Sequence, residues 1–426
     1  MYFKNWLVNL LFLPFISFAQ KTDVIKSPTI HTVKLFQLGN QETIPMIRLN
    51  SNDRLELHFD DLDENIKNYY YTYQLCNADW QPADLSTFDY IKGFQQQRIS
   101  EYKVSSMTLN NYIHYEAILP EKNCIPYQSG NYILKVFLDG DTSQLAFTKR
   151  LFIVNYKSAI FGHVMSPLEN KLMQTHQKVQ FTVDVSQLNM PNPTQQIKVA
   201  IAQNYKWDEA RSNLQPTFIR GNSLEYDGEA DCIFEAGKEF RPLDVMSYRF
   251  MSYQIKDIDK TNIPYTVLLH PDGNRIKHQY AFYVDYNGWM EVGSSEATYK
   301  WYQSDYANVL FTYIPDYKEA LSTKDVYLVG EFTQNKFDET SKLTYNPQKG
   351  FYEKSLFLKQ GFYSYKYTSK DKIHTEIASS EALTEGNYWE TENDYTIFVY
   401  YHSYSGRHDE LIGIASLNSR TNRGGL

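Results

Sequence analysis

Alternation of apolar and polar residues is the dominant pattern along this chain. Leu55, Leu57 and Phe59 alternate with Glu56 and His58, and Val179, Phe181, Val183 and Val185 alternate with Gln180, Thr182 and Asp184. Tyr363, Tyr365 and Tyr367 alternate with Phe362, Ser364 and Lys366, and Tyr395, Ile397, Val399 and Tyr401 repeat the theme. A period of two predicts half-buried strands. The run from Ile133 to Leu138, broken only by Lys135, fits a strand inside a sandwich core. Pro271-Asp272-Gly273-Asn274 separates residues 266–270 from 275–283 and predicts a hairpin; so does Asn346-Pro347-Gln348-Lys349-Gly350 between residues 343–345 and 351–358. Asp139-Gly140-Asp141 turns the chain after Leu138. Long helical periodicity is absent. The pattern predicts an all-β chain of tandem immunoglobulin-like antiparallel sandwiches in a semi-rigid row, with less than about a tenth of its residues in helix.

Pauses in the pattern set the expected boundaries. Residues 20–157 form an N-terminal sandwich, 158–285 a middle sandwich, and 304–402 a C-terminal sandwich. Residues 286–303, rich in Gly, Ser and Glu, read as a linker, and 403–426, which lose alternation, as a mobile tail. Residues 1–19 read as a secretory signal peptide: Lys4 supplies the charged start, Leu7 to Phe18 the apolar run, and Ser17-Phe18-Ala19 the cleavage site before Gln20. That run of about 12 residues is too short to span a ~30 Å hydrocarbon core, which argues against an anchor. No Cys stands at the cleavage point to carry a lipid.

Composition narrows the chemistry. The 426 residues carry 42 Lys+Arg against 50 Asp+Glu, a net charge of -8, which excludes a general nucleic-acid binder. The 36 Tyr and 25 Phe suit pleated, half-buried surfaces. Three cysteines, Cys76, Cys124 and Cys232, make no disulfide framework; they read as buried free thiols, with a Cys76–Cys124 bond as the alternative. The ten His do not cluster, and no zinc, nucleophile-elbow, Walker or dinucleotide motif occurs. His402 and His408 read as two solvated side chains. Asp60, Asp61, Asp63 and Glu64 form the densest acidic cluster, but their spacing lacks the Gly and distal Glu of a calcium loop, so they read as a charged, solvated turn. No catalytic, cofactor-binding or metal-binding residue and no cofactor is expected.

An ordered series of short motifs resembles one family, the plug protein of the type IX secretion system of Bacteroidota. The series is Cys76-Asn77-Ala78-Asp79-Trp80, Gly93-Phe94, Ser129-Gly130-Asn131-Tyr132, Gln203-Asn204, Trp207-Asp208, Glu239-Phe240-Arg241, Asp285-Tyr286-Asn287-Gly288 and Ser304-Asp305-Tyr306. It spans the mature chain, departing from the family pattern at Leu75, where His is expected. Physically, Trp80 is expected over the end of the first sandwich, Ser129-Gly130-Asn131 as turn chemistry, and Arg241 beside Glu239 as a pair, buried or at the surface. The resemblance implies a non-enzymatic periplasmic gate. It would bind the periplasmic opening of the giant outer-membrane β-barrel translocon, seal it without substrate, and meet the outer membrane only through that barrel, without inserting. The segments Val326–Phe332 and Gln360–Tyr367 are also similar to early-set immunoglobulin-like sandwiches, some of which bind sugars on exposed Trp residues. Phe337 stands where that Trp would be expected. An exported carbohydrate-binding sandwich protein is therefore the alternative reading.

Overall fold

The computed structural model describes residues 22–188, 190–374 and 377–424, so the expected signal peptide lies outside the described residues. Helices among the described residues are single turns, such as Pro193–Gln196 and Lys300–Gln303. The rest of the regular structure is strand, and the chain is all-β.

The first sandwich packs two sheets. One runs in the order Val24–Ile25, Leu145–Val154, Gly130–Leu138, Tyr69–Cys76, Gln97–Arg98, with Met46–Arg48 added parallel to Leu145–Val154. The other runs Ile30–Gln37, Leu55–Asp61, Ile113–Leu119, Glu101–Val104. Leu55, Leu57 and Phe59 alternate inward and meet Tyr69, Tyr71 and Tyr73 from the facing sheet. Buried tyrosines carry a large apolar area into this core, which is why so many are tolerated.

The second sandwich is discontinuous in sequence. Its first sheet holds Ala159–Met165, His176–Asp184, Ser223–Tyr226 and Phe218–Arg220, with Ile233–Glu235 added. Its second sheet pairs Ile197–Gln203 with Asp394–Tyr401, which pairs with Glu410–Asn418. Val179, Phe181 and Val183 pack against Val199, Ile201, Ile397 and Val399 between them. The third sandwich is inserted between these strands. One sheet joins Arg241–Asp244, Gly361–Asp371, Met290–Val292 and Lys324–Val329; the other joins Ile255–Asp259, Tyr265–Leu269, Tyr306–Ile314, Phe351–Lys359 and Thr344–Asn346. Their shared core includes Val267, Phe311, Leu328, Tyr363 and Tyr367.

Several expectations change. The sheets do not follow boundaries at 285, 303 and 402, because strand pairing ignores the order in which strands are made. The expected linker 286–303 contributes the strand Met290–Val292 to the third sandwich and one helical turn. The expected mobile tail contains Glu410–Asn418, a strand whose Leu411 and Ile412 are fully buried. Consecutive apolar residues there pack on both faces of the sheet, which removes the alternation. Residues 271–274 make no hairpin: Asp272–Gly273 instead pairs parallel with Tyr306–Ile314. The turn at 346–350 does join antiparallel strands. All three cysteines are free and buried.

Candidate functional site: the seams between the sandwiches

The outer face of the Leu55–Asp61 strand carries Glu56, His58 and Asp60, opposite to the core residues of the same strand. Antiparallel pairing with Ile113–Leu119 sets His58 across from Glu116 and Asp60 across from His114. The third sandwich covers this polar face. Lys359 Nζ and Tyr306 Oη each lie 2.5 Å from Asp60 Oδ2, and His114 Nδ1 lies 2.7 Å from Asp60 Oδ1. Trp301 lays its ring on His58, with centroids 3.8 Å apart and planes within 5°. Burial raises the Asp60 carboxyl, but Lys359 and His114 outweigh it and hold that group below the usual carboxylate range. Burial lowers His58 and His114, so both imidazoles are neutral at neutral pH. The acidic cluster is therefore split. Asp60 and Asp61 are buried, Asp61 accepting from the Tyr69 hydroxyl at 2.8 Å, while Glu64 faces solvent.

Two more contacts fasten the first sandwich to the third. Lys34, fully buried, donates to Glu331 Oε2 at 2.6 Å and to the Met290 and Gln41 carbonyls. The Asp305 carboxylate accepts the Leu109 and Asn110 amides at 2.8 and 3.1 Å.

The seam between the first and second sandwiches has its own apolar core. Trp80 meets Trp207 edge to face at 5.3 Å, and Phe152 meets Phe398 at 4.7 Å. Trp80 therefore sits in a joint between sandwiches rather than over the end of one. Asp409 accepts the Ala78 amide at 3.0 Å and Lys198 Nζ at 2.9 Å, and its own amide donates to Asn77 Oδ1. The Tyr400 hydroxyl and Asn131 Oδ1 are 3.0 Å apart in the same buried region. His402 bonds Asp409 and His408 is half-buried, so neither is simply solvated.

Asn204 Nδ2 reaches Asn393 Oδ1 at 2.8 Å at the end of the second sandwich's own strand pair, and Asn287 Nδ2 of the third sandwich reaches Asp394 of the second at 2.9 Å. Gly288 has φ +87°, and a Cβ there would lie 2.9 Å from the Phe240 ring. Glu239 and Arg241 do not pair. Arg241 binds Glu385 and Asp272, whereas Glu239 accepts from Tyr280 and from the Glu392 amide. Burial pushes the Glu239 carboxyl up to about 7 and that of Asp285 up to about 6. Two cations hold Glu385 down at about 2 in spite of its burial.

Most of the ordered sequence motifs thus fall on seams. Gly93-Phe94 is an exception: Gly93, at φ +96°, lets its backbone approach Asn123 O, where a Cβ would stand 2.3 Å away. Phe337 offers no sugar platform, since it is half-buried against Tyr327 with Lys370 Nζ 4.8 Å from its centroid. Among the described residues, His58, His114 and Glu116 bring ligand atoms within 4.8 Å of one another. No described helix is long and apolar enough to cross a membrane.

Residues 30–155, the first sandwich, match the family model for the first domain of the type 9 secretion system plug protein. A crystal structure of a hypothetical protein from Parabacteroides merdae is similar over the whole fold. It is 31% identical with a TM-score of 0.89, and the match covers 93% of this chain and 98% of that one. No curated protein matches.

Proposed function

The chain belongs to the plug protein family of the type IX secretion system, and from that premise we propose that it is the periplasmic gate of the outer-membrane translocon. It binds the periplasmic mouth of the giant barrel and closes it while no substrate occupies the pore. The observation that carries this reading is the match of the first sandwich to the plug's first domain. The largest outer-membrane barrels have about 36 strands, and a lumen of that width leaks unless something fills it.

The seams support the reading physically. A stopper for a wide pore must keep its shape, and three sandwiches joined by buried ion pairs and a shared aromatic cluster resist bending as loosely linked modules do not. Its role needs no catalysis, only reversible contact. Reversible interfaces use a few exposed aromatic anchors within a polar rim. Phe250 and Tyr253, 82% and 79% exposed on one loop, are anchors of that kind. Export follows cleavage before Gln20, and the protein meets the membrane only through the barrel.

Deleting the gene tests the gate. The outer membrane should then admit large molecules that intact cells exclude, and the leak should disappear when the barrel is deleted too. Unchanged permeability in the single deletion, with the barrel present, overturns the proposal.

A further inference from the structure

The outer face of the first sandwich holds a chain of four polar groups that meet end to end. Asp60 Oδ1 faces His114 Nδ1 at 2.7 Å, His114 Nε2 faces His58 Nδ1 at 3.1 Å, and His58 Nε2 faces Glu56 Oε2 at 3.3 Å. Two of these contacts pair a carboxylate with an imidazole, and the middle one pairs the two imidazoles. The outer ring nitrogens, His114 Nδ1 and His58 Nε2, each face a carboxylate, which can only accept. The two inner nitrogens face each other 3.1 Å apart, on the side of the rings turned away from those carboxylates. A further acceptor aims at the same place: Glu116 Oε2 lies 3.8 Å from His58 Nδ1 and 3.9 Å from His114 Nε2.

One ligand atom from each of His58, His114 and Glu116 converges on a common point, all within 4.8 Å of one another, and the spacing fits a metal ion. Zinc bound tetrahedrally at about 2.0–2.2 Å sets its ligands roughly 3.3–3.5 Å apart, so the observed triangle needs adjustments of only a few tenths of an ångström. The surroundings fit as well. A zinc-bound His almost always donates its other ring N–H to a carboxylate or carbonyl, and here Asp60 and Glu56 stand ready on both rings. Imidazole and carboxylate together suit zinc among the common divalent ions. The strand register puts the three ligands on one face by itself, since His58 lies opposite Glu116 and His114 is two residues before it. Glu116, with its side chain 40% exposed, leaves a route from solvent.

We propose that His58, His114 and Glu116 form a zinc site on the outer face of the first sandwich, oriented by Glu56 and Asp60. All three ligands belong to that sandwich, while Asp60 also binds Lys359 and Tyr306 of the third. The ion thereby fixes the side chains on which the third sandwich rests.

The test uses the full mature chain and zinc alone. Titration calorimetry on metal-stripped protein should give one zinc per chain. Binding should weaken about tenfold or more in Glu116→Gln, which alters a partly exposed side chain, and roughly 10–100-fold in Glu56→Gln. His402→Gln, away from the site, should bind as the unaltered chain does. Cobalt added to the unaltered chain should develop the visible bands of tetrahedral coordination, a readout that requires no variant to fold. Two results overturn the proposal: unaltered protein that takes up no more zinc than Glu116→Gln, or a nitrogen-15 spectrum of zinc-treated protein in which one of the two imidazoles is a permanent imidazolium, a proton then occupying the place of the metal.

Discussion

Asp60 and Lys359 are 299 residues apart in sequence and 2.5 Å apart in space, and neither side chain reaches solvent. A buried ion pair of this kind adds little net stability over an apolar pair, but removing one partner leaves the other charged and unpaired, at about 3–5 kcal/mol. Asp60→Asn should therefore lower the unfolding free energy by about that amount in urea titration. The double change Asp60→Asn with Lys359→Met should recover most of the loss. A double variant as unstable as the single one would show that the seam does not depend on this charge pair.

Trp80 and Trp207 meet across the seam between the first two sandwiches. Truncating either to Ala should cost about 3–5 kcal/mol, as for other buried aromatics. A double-mutant cycle by thermal unfolding should assign about 0.5–1.5 kcal/mol of that to the edge-to-face contact itself. Limited proteolysis should then release the first sandwich as a fragment, because the second retains less area to hold it.

Two buried carboxyls should contribute to the pH dependence of stability with a definite sign. Glu239 is raised from 4.5 to about 7 and Asp285 from 3.8 to about 6 in the folded chain. The folded state therefore holds protons that the unfolded state has released. These two groups add stability as the pH falls from about 8 to about 5, while His58 and His114, lowered by burial, give some of it back below their ordinary value of 6.5. Glu385 acts oppositely: its folded value of about 2 against 4.5 adds stability that is lost as the pH falls below that ordinary value. Relative to the unaltered chain, Glu239→Gln should lose a stability increment that grows as the pH falls from about 8 to about 5 and leave the acid limb unchanged, as differential scanning fluorimetry of both across pH would read.

The alternation of Leu55, Leu57 and Phe59 made the first sandwich legible from sequence, because a core face needs period two. The same alternation misled about Glu56, His58 and Asp60. A polar face looks alike whether water or another sandwich covers it, and only the long-range placement of Trp301, Tyr306 and Lys359 decides. Residues 411–414 failed as a strand signal for the opposite reason: Leu411 and Ile412 are both buried, on opposite faces, so nothing alternates. Asp272 and Gly273 have the composition of a turn but pair with Tyr306–Ile314, a partner that local sequence does not reveal. The ordered motifs were visible as words, and their positions at the joints became visible only in three dimensions.

Ending the chain at 402 should remove Glu410–Asn418 and the Asp409 joint together. A truly mobile tail would be dispensable. Here the truncated chain should expose the Asp394–Tyr401 strand along one edge and be recovered mainly as aggregate, with soluble yield after expression as the measurement.

The insertion of the third sandwich into the second also sets a clock on biosynthesis. Gln203 and Tyr395, whose side chains bond, are separated by 192 residues. At about 5–20 residues per second, the Ile197–Gln203 strand waits roughly 10–40 s for its neighbour to be made. Through that interval it presents an unpaired edge to every other nascent chain nearby. The first sandwich, complete by Val154, has no such delay. A cell making this protein quickly must therefore shield one half-built sheet, and the demand for chaperones falls on the middle of the chain rather than on its beginning.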